Sequence, residues 1–153
     1  KLLKEDPRNS ELFFLTGQIY LANEQFNRAQ KFFKKAIEIN SNQSNYFNGL
    51  AIAYLRLGKN NDAYQTFERA IKLNQKNVSA YLGLALVAEN KNLIETAGKN
   101  VYLAGLYSVS DGDYISAVYS LSELKRLSFE KRKLLEKVSD LEAVIKFNRN
   151  LLR

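Results

Sequence analysis

Aromatic and very small residues return in this chain at a fixed interval of 34 positions, and few folds other than a stack of like units can satisfy such a recurrence. Phe13, Phe47 and Tyr81 form one column; Gly17, Ala51 and Ala85 form the next; Tyr20, Tyr54 and Ala88 follow. The second half of each unit adds Ala29, Ala63 and Ala97, then Phe33, Phe67 and Val101, then Ala36, Ala70 and Ala104. Two antiparallel helices approach closely only where small side chains let their backbones meet, and large knobs then fill the gaps on either side. A large, small, large, small, large, small order at helical spacing is therefore a packing instruction for helix pairs.

This order and period resemble the tetratricopeptide repeat. The resemblance implies an all-α fold: a right-handed superhelical solenoid of antiparallel helix pairs with about three repeats, at 10–43, 44–77 and 78–110, followed by a C-terminal helical pair at 111–153 that caps the array and is basic. Residues 1–9 read as the tail of a preceding helix, because Pro7 falls where the family places its closing proline. The chain is accordingly expected to be one part of a larger protein.

Along the chain, Ser10–Ala22 and Phe26–Ile39 are the expected helices of the first unit, with Asn23-Glu24-Gln25 as the turn. Phe26, Ala29, Phe33 and Ala36 lie at the three- and four-residue spacing of one buried face. In the second unit Ser44 is the expected N-cap, Gly58 the left-handed turn residue, and Asn60 or Asn61 the cap of the following helix. The third unit is degenerate: Ala88 replaces the tyrosine, and Gly98 interrupts a helix at a cost of about 1 kcal/mol against alanine. The preferred division places helices at Leu93–Ser108 and Asp113–Leu127. A rival division reads Gly112-Asp113-Tyr114 with Ala117 as the family's turn into a second helix, making Gly98–Ser110 a first helix; it leaves the helix Val78–Glu89 without a partner. Ser128 is the expected cap of a last helix, Phe129–Leu152, whose Leu134, Val138, Leu141, Ile145, Asn148 and Leu152 form a heptad-like stripe. Covering the apolar end of the array is one role for that stripe, and a homodimer or partner contact is the other.

The chain has 153 residues with 46% apolar content, enough for a packed core. Cysteine and histidine are both absent, which removes disulfides, thiol chemistry and the usual zinc, haem and nucleophile–base arrangements. No metal or other cofactor is implied, and no catalytic residues suggest themselves; Asp111 and Asp113 beside Gly112 are ordinary turn residues. No apolar run of about 18 residues and no stretch of signal-peptide length occurs, which leaves the compartment open. The net charge of +7 is uneven. Residues 125–153 hold nine basic and four acidic residues, leaving a net of +2 on residues 1–124.

In tetratricopeptide arrays the first helix of each unit lines a concave groove that binds helices or extended peptides. By position, the resemblance assigns to that groove Glu11, Phe14, Leu15, Gln18 and Leu21, then Asn45, Asn48, Gly49, Ile52, Leu55 and Arg56, and then Ser79, Leu82, Gly83, Leu86, Glu89 and Asn90. Chaperone-binding members grip a peptide's terminal carboxylates there with lysine, asparagine and arginine. Phe14, Gln18, Gly49, Ser79 and Gly83 stand at those places here, so a chaperone tail is not the expected partner. The expectation is a non-catalytic protein-interaction module whose apolar strip receives a partner helix or extended segment. A second reading sends Lys125, Arg126, Lys131, Arg132, Lys133 and Lys137 to nucleic acid or an anionic membrane surface, but only Phe129 and Phe147 offer stacking there.

Overall fold

In the computed structural model residues 9–150 are described, and they form an all-α helical repeat fold with no strand among them. The expectations for Lys1–Glu5, Pro7 and Leu152 fall outside that range. The chain divides into two compact units, residues 1–75 and 76–153.

The first unit holds α1 (Ser10–Ala22), α2 (Phe26–Ile39), α3 (Ser44–Arg56) and α4 (Asn60–Leu73). α1 pairs with α2 and α3 with α4, while α2 also packs on α3. The first two recurrences explain this directly. Ala29, Phe33, Ala36, Ala51, Ala63, Phe67 and Ala70 are all fully buried. Phe33 shows how the columns work: a Cβ added at Gly17 would lie 2.8 Å from its ring, and one added at Gly49 would lie 2.6 Å away. The ring is thus seated against two glycines, one on α1 and one on α3, and only glycine admits it at both places. Phe14 (5.8 Å between centroids) closes over the same ring. Ser44 does not cap α3 as expected. It is the helix's first residue, and its hydroxyl donates to the carbonyl of Ala70 on α4 at 2.8 Å.

The second unit holds α5 (Val78–Asn90), α6 (Ile94–Ser110), α7 (Tyr114–Glu130), a 3-10 turn (Arg132–Leu134) and α8 (Leu135–Asn150). Asn77 caps α5 by accepting from the Ala80 amide, and Asp113 caps α7 by accepting from the Ser116 amide. Ser128 is no cap: it lies inside α7, donating to the Lys125 carbonyl, and the helix continues to Glu130. Gly98 and Gly105, one heptad apart on α6, face Leu134 and Leu141; an added Cβ would stand 2.6 Å from either leucine. The glycine that reads in sequence as a weakness is the notch into which the C-terminal segment seats.

Two kinds of turn alternate. Between the first and second helix of a pair, one residue takes a left-handed conformation: Glu24 (φ 57), Gly58 (φ 73) and Asn92 (φ 57), each 34 residues after the last. In each, the next residue's amide bonds five residues back, Gln25 to Tyr20, Lys59 to Tyr54 and Leu93 to Ala88. Between pairs the chain instead leaves the helix through an extended residue, Asn40 (φ −140, ψ 101) or Asn74 (φ −143, ψ 103).

After α6 the alternation breaks. Gly112 (φ 75) repeats the left-handed turn only 20 residues after Asn92, with Asp113 bonded to Ser108 in the same five-residue pattern. α6 therefore begins as a second helix and ends as a first one. Counted from the left-handed residue, Val101, Gly105, Ala117, Leu121 and Leu124 stand where Phe47, Ala51, Ala63, Phe67 and Ala70 stand in the second repeat. Val101 serves in both counts. The helices are those of the preferred division, but the turn is the one the rival division recognised. Lys131 (φ −135, ψ 97) then restores the between-pair connection, and α8 follows on α6 and α7.

Gly49→Ala should cost about 1–3 kcal/mol through overpacking against Phe33, outweighing the roughly 1 kcal/mol that alanine gains in a helix. Denaturant unfolding of Gly49→Ala, Phe33→Leu and the double variant should give a coupling of at least about 1 kcal/mol; a stabilising Gly49→Ala would refute the notch. At the turns, Glu24→Gly should stabilise by about 0.5–1 kcal/mol and Gly58→Ala should destabilise by about 1 kcal/mol, since Gly58 has open space around it and only backbone conformation is at issue.

Candidate functional site

Within the first unit, the face of α1 and α3 not used for pairing carries the residues singled out from sequence. Leu15 is 44% exposed; Gln18 and Asn45 are exposed; Asn48, Ile52 and Leu55 are half-buried. The Oδ1 of Asn48 is buried and has no hydrogen-bond partner among the described residues. The others are committed to the fold. Phe14 stacks on Tyr46 with centroids 4.8 Å apart, making the seam between α1 and α3. Leu21 packs against the cluster of Ala29, Phe33, Leu50 and Ala53. Arg56 turns to the α1–α2 connection, 3.6 Å from Glu24 and over the Phe26 ring at 5.0 Å.

Tyr46 anchors this seam. Its hydroxyl donates to Glu11 Oε2 at 2.9 Å and lies 3.2 Å from Ser10 Oγ. Burial, reinforced by Glu11 and opposed by Ser10, raises its pKa above the ordinary 10.

Sequence reasoning missed Leu12, Thr16, Ile19 and Ala22. With Leu15 and Gln18 they line an apolar depression along α1, and Ile19 is 61% exposed. The signal was present: Leu12, Leu15, Ile19 and Ala22 recur at three- and four-residue steps, a second apolar stripe on a helix already apolar on its packing side.

In the second unit, Leu82 packs onto the core whereas Leu86 is 48% exposed on α5. Tyr81 stacks on Tyr107 (5.4 Å), and burial together with a hydrogen bond to that phenol pushes its pKa up to about 12. The heptad-like stripe points inward: Leu134, Val138, Leu141 and Ile145 belong to the core cluster shared with α6 and α7.

The basic residues are largely paired. Arg126 bonds Glu89 at 2.7 Å and Glu123 at 2.9 Å, which hold its guanidinium above its ordinary pKa. Lys125 pairs with Glu142, Lys133 lies 3.8 Å from Glu95, and Lys137 sits over the Tyr102 ring at 4.6 Å. Lys76 pairs with Asp111 at 2.7 Å and holds its carboxyl below the usual range. Asp113 is likewise lowered, by the hydrogen bonds of its capped Ser116. Among the described residues no group of three or more Asp or Glu side chains is placed to hold a metal ion, and no helix is long and apolar enough to cross a membrane.

Two family models match the sequence: residues 1–70 match that of the anaphase-promoting complex, cyclosome, subunit 3, and residues 53–92 match the TPR repeat. The chain carries tetratricopeptide repeats. Solved structures of similar fold include the TPR domain of Arabidopsis OM64, with 26% identity, a TM-score of 0.69, and coverage of 79% of this chain and 95% of that one. MamA is also similar, with 24% identity, a TM-score of 0.69 and coverage of 94% and 84%. So is PcrH, solved in complex with the chaperone binding region of PopD, with 17% identity, a TM-score of 0.74 and coverage of 79% and 92%. No curated protein sequence matches the chain. The tetratricopeptide fold is that of a protein-interaction scaffold, and the two helix faces described above belong to such a scaffold.

The raised phenols make the array sensitive to alkali. A folded-state pKa above the unfolded value gives stability that is complete below pH 10 and is lost as pH rises through the folded value. For Tyr81 that window is pH 10 to about 12. Unfolding followed by circular dichroism should show stability falling across it, and Tyr81→Phe should flatten the fall.

Proposed function

We propose that this tetratricopeptide array is a non-catalytic binding module, and that in its first unit the strip of Leu15, Gln18, Asn45, Asn48, Ile52 and Leu55 receives an extended segment of a partner protein with apolar anchors. The observation that carries this reading is the buried, unpaired Oδ1 of Asn48 on α3, with the half-buried Ile52 and Leu55 one and two turns further along the helix. A buried acceptor without a partner costs about 1–3 kcal/mol, and a backbone N–H of a bound segment removes that cost. The amides of Gln18 and Asn45 lie on the same two helices and can serve the rest of an extended backbone, while Leu15, Ile52 and Leu55 supply apolar contact. On α5 of the second unit, taken by itself, Leu86 is exposed much as Leu15 is on α1. Phe14, stacked on Tyr46, and Leu21, on the core cluster, hold α1 in place beside this strip. PcrH, which shares the fold, is a protein whose structure was solved with a bound segment of another protein.

Segments selected from a displayed library of random peptides against the intact chain provide the test. Leu15→Glu and Ile52→Glu should each weaken the selected peptide at least tenfold with helical content unchanged. Asn48→Ala should weaken it by about 0.5–1.5 kcal/mol while leaving the free protein as stable or more so, because it removes an acceptor that has no partner until the segment binds. Undiminished affinity in all three variants overturns the strip as the site.

A further inference from the structure

The seam between α7 and α8 has a second, chemically different character. The C-terminal segment starts firmly, with Leu134 of the 3-10 turn and Leu141 of α8 in the glycine notches of α6, and Lys125 paired to Glu142 ties α8 to α7 midway. Beyond that tie the seam is open. Tyr114, Ile115, Val118 and Ile145 line it, with Arg149 at its edge, and the opening continues past Leu121 to Lys146. Ile115 is 86% exposed and Val118 52%, a large apolar surface to leave in water.

We propose that this seam is a docking site for an amphipathic helix carrying acidic residues along its flank. Two observations choose that occupant. The apolar lining comes from side chains of two helices whose backbones are bonded internally, so the seam offers little for the backbone of an extended segment; a helix satisfies its own. The charges at the edge are one-sided: Lys146 and Arg149 have no anionic partner among the described residues, whereas Glu142, the nearby carboxylate, is occupied by Lys125. A second copy of this chain would bring its own Lys146 and Arg149 to the same edge, which disfavours a symmetric pair.

The test uses the whole chain and two synthetic peptides of about four helical turns, identical in a leucine stripe at i, i+3, i+4 and i+7 but flanked by glutamate in one and lysine in the other. The acidic peptide should bind saturably and at least tenfold tighter than the lysine peptide, more weakly as salt rises, and should gain helicity on binding. Ile115→Asp should abolish binding, and Lys146→Glu with Arg149→Glu should reverse the preference between peptides; all three side chains lie at the surface, so thermal unfolding should be unchanged. Leu15→Glu with Ile52→Glu should leave this binding intact, separating it from the strip of the first unit. Equal affinity for both peptides, insensitivity to the charge reversal, or a concentration-dependent doubling of mass that Ile115→Asp removes each overturns the proposal, the last by making a second copy the occupant.

Discussion

The seating of large side chains against glycine is the contact on which the rest of this structure depends. Phe33 reaches the backbones of both α1 and α3 because Gly17 and Gly49 present no Cβ, and that single ring joins a helix pair to its successor. Each helical glycine costs roughly 1 kcal/mol of helix propensity. Full burial of a phenylalanine returns about 2–3 kcal/mol, and the surrounding close packing adds dispersion to that. The second unit applies the same device with leucine, so that the 3-10 turn and α8 are registered on α6 by two notches one heptad apart. Closeness of approach, set by the smallest residues, fixes where every larger one must go.

From this follows what was legible in the sequence. The columns were readable because packing of this kind demands residue types at fixed spacing, and the interval of 34 carries them without a gap through Ala104. The left-handed turn residue was readable at Gly58, where glycine announces it, but not at Glu24, where an unfavourable residue holds the same conformation because the helices on both sides dictate it. Two readings of α6 looked mutually exclusive. They coexist because Ala97, Val101, Ala104 and Ser108 lie on one face of the helix and Gly98 and Gly105 extend that face sideways, so one helix closes the pair behind it and opens the turn ahead. A single assumed period could not express a step of 20 residues after two of 34.

The candidate strip was legible in its place on the helices and illegible in its exposure. Which residues of α1 and α3 turn away from their partners follows from helical geometry. Whether they remain free depends on side chains some 30 residues distant: Tyr46 takes Phe14, and Glu24 with Phe26 takes Arg56. The basic segment behaves alike. Its charges were countable from sequence, but Glu89, Glu95 and Glu142, which engage three of them, come near only through the fold. Ile19 and Ile115 were passed over for the opposite reason, since an apolar residue in an amphipathic helix is read as core until its exposure is known.

The two proposed surfaces differ in one respect that bears on what each would hold. Apolar contact is non-directional and admits either an extended segment or a helix. Backbone hydrogen bonding is not so permissive, because an extended segment brings an amide and a carbonyl at every residue and loses about 1–3 kcal/mol for each one buried unpaired. The strip on α1 and α3 is edged by Gln18, Asn45 and Asn48 and can meet that demand. The seam of α7 and α8 is edged chiefly by the cations of Lys146 and Arg149, which favour carboxylates. If both proposals hold, amides beside one surface and cations beside the other would sort partners by secondary structure before any side-chain specificity acts.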